Sequence, residues 1–180
     1  MASQGVSPSN FGLFIAYVLP GFTAMQGLPF LSSPKSGWGA AQEQVAITLP
    51  SFLSGMTEAV AVGLIVSTVR WLVIDTLHHR TGLKQPRWDF ALLEKNVAAF
   101  EFLIDIHYRY YKFYANMVVA LLWAYATGGY ALGWRGLVYW LLAALCLFAS
   151  RDCLGKYYGR SGQLLGDSGH KRRTVKAALS

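Results

Sequence analysis

Four stretches of the chain are nearly continuous hydrocarbon. Residues 11–31, "FGLFIAYVLPGFTAMQGLPFL", are 21 residues without a charge; residues 113–134 are 22 between Lys112 and Arg135; residues 136–150 are 15 between Arg135 and Arg151. A helix crosses the bilayer core with about 20 apolar residues. The third run is short, but its flanking arginines can reach outward to water. Residues 52–74, "FLSGMTEAVAVGLIVSTVRWLVI", make the fourth run and carry Glu58 and Arg70. The pattern predicts an all-α polytopic protein with four transmembrane helices, at about 11–31, 52–74, 113–134 and 136–150.

Local signals place the ends and the extensions. Ser9 or Asn10 can cap the first helix, and Pro20-Gly21 predicts a kink in its middle. In "HHRTGLKQPRWDF" (78–90), Gly82 ends one helix, Pro86 blocks its continuation and Asp89 caps the next. From Asp89 to Thr127 there is no Gly or Pro, so one helix about 58 Å long is expected there. Phe90, Leu93, Val97, Phe100, Ile104 and Tyr111 give it the spacing of a packed seam. The last span should run on through "RDCLGKYYGRSGQLL", against the weakening effect of Gly155, Gly159 and Gly162. The whole is one unit, residues 1–165, with helical cytoplasmic extensions at 75–112 and 151–165 and a basic tail at 166–180.

Composition agrees. Of 180 residues 54% are hydrophobic and 14% charged, against about 25% charged in soluble domains. With four spans, Lys35 and Arg135 are the basic residues of the two loops on one side, and the other 14 of 16 fall on the opposite side. That side also carries seven acids, so 14 minus 7 places the whole net charge of +7 there. The positive-inside rule then puts both termini in the cytoplasm, at the inner membrane if the cell is bacterial. The first ten residues hold no Lys or Arg, so residues 11–31 read as a retained span rather than a signal peptide. Cys146 and Cys153 are seven apart, about 10 Å along a helix, and read as free thiols. Tyr108, Tyr110, Tyr111 and Tyr114 are spread around their helix and read as an interfacial belt.

Charge signs also narrow the partners. Residues 88–105 hold four acids and one lysine, whereas 151–176 hold seven basic residues and two acids. Neighbouring extensions of opposite sign should pair, which argues against a continuous nucleic-acid face. Arg80, Lys84 and Arg87 in the turn, with Lys171, Arg172 and Arg173 in the tail, are the candidates for contact with a cytoplasmic protein or with lipid headgroups.

Candidate chemistry is sparse. Gly55, Ala59, Gly63 and Ser67 recur every four residues, as do Ala120, Ala124 and Gly128, a spacing that lets helix backbones approach closely, within a subunit or between subunits. Glu58 is either an ion-coupling group facing a cavity or a residue in the first turn of a late-starting helix. Asn116, the other ion-pathway candidate, more simply makes an interhelical hydrogen bond. Arg70 can pair with Asp75, while Asp105–Arg109 and Asp152–Lys156 are ordinary i,i+4 pairs. Asp75 with His78 or His79 is the only metal-like grouping, and it falls short of a ligand set. No phosphate loop, nucleophile elbow or zinc-helix motif is present, and no cofactor is expected.

In architecture alone, a small tetraspan protein with basic cytoplasmic extensions resembles membrane components of bacterial defence and signalling systems. Nearly all ionisable residues fall on one side while the outer loops are short and nearly neutral, which points to an oligomeric, non-enzymatic sensor or pore-forming effector coupled to a cytoplasmic partner. The alternatives are a small ion channel or transporter using Glu58, and a membrane enzyme around Asp75, His78 and His79.

Overall fold

The computed structural model describes residues 8–27, 49–128 and 133–165, and these form an all-α fold with no strands among them. Helix α1 spans Pro8–Met25. Helix α2 runs from Leu49–Arg70 through a π-helical turn at Trp71–Asp75 to Thr76–Arg80. Helix α3 is Val97–Leu103, a second π-helical turn at Ile104–Tyr108, and Arg109–Thr127. Helix α4 is a single run, Trp134–Leu165.

Several boundaries differ from the expected ones. α1 begins at Pro8, a residue suited to a first helical position because its missing N–H would have no partner there. It ends at Met25, and residues 28–31 lie outside the described residues. The long helix expected from Asp89 starts instead at Val97. Asp89 does cap, accepting from the Ala91 N–H at 3.0 Å, but it opens a 3-10 turn at Phe90–Leu92, followed by another at Glu94–Asn96. The Asp89 N–H is itself tied to the Leu165 carbonyl at 2.8 Å, so this segment folds back onto α4 rather than extending α3. Of the expected seam, Phe100, Ile104 and Tyr111 reach the core, while Phe90 and Val97 stay exposed. α3 stops at Thr127, before the expected end at 134.

The glycines of α4 do not break it. A Cβ on Gly162 would lie 3.1 Å from the Pro86 ring, so the 81–88 turn packs closely against the helix at this glycine. With 32 residues, α4 is about 48 Å long, well beyond the roughly 30 Å of a bilayer core.

The helices alternate in direction. A Cβ on Gly12 would meet Arg109, one on Gly27 would meet Thr127, and Asn116 bonds Ala16, so α1 and α3 run parallel. Gly21 meets Ala59 and Gly63 meets Tyr17, so α2 runs opposite to α1. His107 meets Arg160 and Tyr125 meets Tyr139, so α4 runs opposite to α3. The start of α1, the end of α2, the first half of α3 and the second half of α4 therefore gather at one end.

Two helices among the described residues are long and apolar enough to cross a membrane: Leu53–Arg80 and Gly136–Leu165. Only 22% and 17% of their apolar windows are buried inside the molecule, unlike the core helix of a soluble protein. Phe14–Met25 is a shorter apolar helix. Ile65, Leu72, Leu137, Leu141, Leu145 and Phe148 stand outward, each more than half exposed.

The tightest packing is the α1–α2 crossing. A Cβ on Gly21 would fall 1.8 Å from the Ala59 carbonyl oxygen, and one on Gly63 would fall 2.1 Å from that of Tyr17. These are backbone atoms that a rotamer change cannot move. Gly55, one turn before Ala59, has open space around it. Gly63→Val should therefore cost about 1–3 kcal/mol of stability through overpacking, and Gly55→Ala should be neutral or slightly stabilising. Thermal unfolding of the detergent-solubilised variants checks the contrast.

Candidate functional site

Where α2, α3 and α4 converge, the core turns polar. The π-turn of α2 is the cause. In an α-helix residues i and i+5 point apart, but a π-turn holds more residues per turn and brings them onto one face. Arg70 and Asp75, five apart, form an ion pair at 2.9 Å, with the arginine 7% and the aspartate 20% exposed. The pairing was readable from sequence; the widened turn that makes it possible was not.

Tyr111 completes the group from α3. Its hydroxyl donates to the Asp75 carboxylate, its ring lies 5.4 Å from the Arg70 guanidinium, and it is 2% exposed. Burial, reinforced by that hydrogen bond to a carboxylate, pushes its pKa well above the usual tyrosine range, so it stays a donor. The belt expected of the four tyrosines is therefore corrected at this position: Tyr110 is exposed, Tyr108 and Tyr114 are half-buried, and Tyr111 is a core residue.

The histidines divide rather than converge. His78 is buried and its Nε2 lies 2.9 Å from the Ser150 hydroxyl on α4. Ser150 spends its one proton on the Leu147 carbonyl, so the histidine is the donor. His79 turns the other way, with Nδ1 2.6 Å from the Asp75 carbonyl and Nε2 3.3 Å from the Tyr158 hydroxyl. Among the described residues no three His, Cys, Asp or Glu side chains come together as a metal-ligand set. Arg151 donates to the hydroxyl and carbonyl of Thr81, locking the end of α2 to α4.

The second π-turn, in α3, carries His107. Arg160 of α4 donates to its Nε2 at 2.8 Å. A guanidinium can only donate, so that nitrogen is unprotonated. Burial and then the Arg160 charge lower the His107 pKa from its ordinary value. Around it Trp88, Phe100, Tyr108 and Tyr157 pack edge to face or tilted. Among the described residues the join between the two extensions is aromatic; Lys171, Arg172, Arg173 and Lys176, which carry most of the basic charge of 151–176, lie outside them. The ion pairs Asp105–Arg109 and Asp152–Lys156, at 2.7 and 2.6 Å, each stay within one helix.

The remaining candidates sit elsewhere. Asn116 is fully buried and donates to the Ala16 carbonyl at 2.8 Å. That carbonyl would bond the N–H of residue 20 in a regular helix, but Pro20 has none. Glu58 is exposed on α2, nine residues past Leu49, in the third turn and not the first. Ala59, Gly63, Ala120, Ala124 and Gly128 are buried, Ser67 and Gly55 half-buried. Arg80, Lys84 and Arg87 are exposed, and Lys171, Arg172 and Arg173 lie outside the described residues. No family model, curated protein or solved structure matches the chain.

Removing Asp75 would strand the buried Arg70 charge. Asp75→Ala should cost about 3–5 kcal/mol, and Tyr111→Phe, which leaves the ion pair in place, about 1 kcal/mol; adding Arg70→Leu to Asp75→Ala should recover part of the loss. Unfolding of the three variants in one detergent ranks them.

His107 sets a pH dependence. The unfolded chain binds its proton at about the ordinary value of 6.5 and the folded chain only at lower pH, so protonation favours unfolding. Its contribution is fully present above 6.5 and is lost as pH falls below it. Melting temperature should drop between neutral and acid buffer, and His107→Gln should flatten that drop.

Proposed function

We propose that this chain is a small tetraspan integral membrane protein, oligomeric and non-enzymatic, whose helices carry a membrane state to a cytoplasmic partner as a sensor or effector. α1 and the second half of α3 complete the four spans with α2 and α4. The polar end of the bundle, holding the start of α1 and the end of α4, faces the cytoplasm together with both termini.

The observation that carries this reading is continuity. α4 passes without a break from an apolar half, 134–150, into a half that packs on Trp88, Tyr108 and the His107 turn. A rigid helix that spans both environments transmits tilt or rotation from one to the other. The π-turns of α2 and α3 lie where the two environments meet, and such turns recur at functional positions in helices. The basic turn beside them, with Arg80, Lys84 and Arg87 exposed, offers a docking surface. Membership of a bacterial defence or signalling system fits the same architecture.

Full-length protein should stay in membranes washed with carbonate, and tags at residues 1, 85 and 180 should report one compartment. Tags in different compartments would overturn the topology. Alanine changes at Arg80, Lys84 and Arg87 together should release the captured cytoplasmic partner; an unchanged set of captured proteins would remove that surface.

A further inference from the structure

We propose that the cleft at the end of α2 binds the phosphate headgroup of an acidic phospholipid. The proposal rests on the membrane reading and adds a ligand to it. The cleft has a volume of about 470 Å³ and is lined by Trp71, Leu72, Asp75, Thr76, His79 and Arg80.

Its floor is apolar and outward-facing. Trp71 is 66% and Leu72 65% exposed. Leu72 continues a stripe formed by Ile65 and Val69 on the outer face of α2, so an acyl chain lying along that stripe leads its headgroup into the cleft. Trp71 and Arg80 are about 13 Å apart along the helix axis. That offset places an indole among the outer acyl carbons while a guanidinium reaches the phosphate layer.

Its rim holds unspent donors. Thr23, Thr57, Thr68, Thr81 and Thr127 each turn the hydroxyl back onto the carbonyl four residues earlier. Thr76 does not, among the described residues. The π-turn draws its backbone N–H to the Val73 carbonyl and breaks the regular ladder that the hydroxyl would follow. No hydrogen bond or ion pair among the described residues engages the Arg80 guanidinium, which is exposed. Asp75 would repel an anion, but Arg70 already sits on its carboxylate. With Asp75 neutralised from behind by the buried Arg70, the Arg80 guanidinium leaves the cleft net cationic. His79 is held at the wall by its bonds to the Asp75 carbonyl and Tyr158, which leaves Arg80 and Thr76 as the phosphate contacts.

The test is lipid retention by the full-length protein, counted by native mass spectrometry after extraction from nanodiscs of phosphatidylcholine and phosphatidylglycerol with matched chains. Wild type should keep phosphatidylglycerol in preference, and Arg80→Ala should lower that retention about fivefold, the worth of one cation at a lipid surface. Thr76→Val should lower it further. Lys95→Ala, an exposed cation outside the cleft, should leave it unchanged. Equal retention of both lipids, or equal loss in Lys95→Ala, would overturn the site. Displacement of the lipid by millimolar inorganic phosphate would instead assign the cleft to a free anion and overturn the lipid. Carbonate extraction of the same membranes separates the two levels: a chain that washes off defeats the membrane reading, whereas one that stays yet shows no lipid preference defeats the cleft alone.

Discussion

A buried guanidinium must be neutralised where it lies, and in this protein the neutralisation decides the shape of a helix. Arg70 is 6% exposed, and its partner Asp75 stands five residues on. A regular α-helix would leave the two on different faces and the charge uncompensated, at a cost of several kcal/mol. The π-turn at Trp71–Asp75 brings them together. The same turn sets the angle of everything after it: it presents Asp75 to Tyr111, seats Ile74 in the core, and sends His78 toward Ser150. The junction of three helices thus follows from one electrostatic requirement.

The same demand for internal satisfaction recurs in the apolar half. Pro20 leaves the Ala16 carbonyl without its helical donor, and Asn116 supplies one from α3. At the next turn Gly21 lets the backbones of α1 and α2 touch. A proline, a glycine and an asparagine, separately unremarkable, act together as the three-helix contact of α1, α2 and α3. Burial without satisfaction would be costly in any apolar surrounding and most costly in lipid.

Sequence patterns disclose features governed by nearest neighbours along the chain. The four helical runs, the Gly82–Pro86 turn, the Asp89 cap and the i,i+4 ion pairs all follow from local rules, and the structure contains each of them. Features set by tertiary contact were not legible. No local signal marks the two π-turns. Seam spacing put Tyr111 toward the core, but nothing in the sequence assigned it the Asp75 carboxylate as its hydrogen-bond partner, while Tyr110 beside it lies in the open. Nor did the sequence mark the join in which Trp88 and Tyr157 meet Phe100 and Tyr108, burying apolar area between the two extensions, beside which a surface ion pair is worth little. Of the two readings open for Glu58, the first-turn one fails because the helix begins nine residues earlier, at Leu49.

The placement of rigidity follows from these contacts. Below the junction α3 and α4 are clamped by interlocking aromatic rings and by the Arg160–His107 bond. Above it, α1 and α2 are clamped by glycine contacts that leave no room for a side chain. Between the two clamps lies the π-turn of α2, where the regular backbone ladder is already interrupted and fewer bonds must be exchanged for a change of register. A shift of α2 against α3 would have to pass through Asp75 and Tyr111, whose separation would bare the Arg70 charge. The Arg70–Asp75–Tyr111 group therefore resists such a shift at the point of α2 where the backbone ladder is least regular.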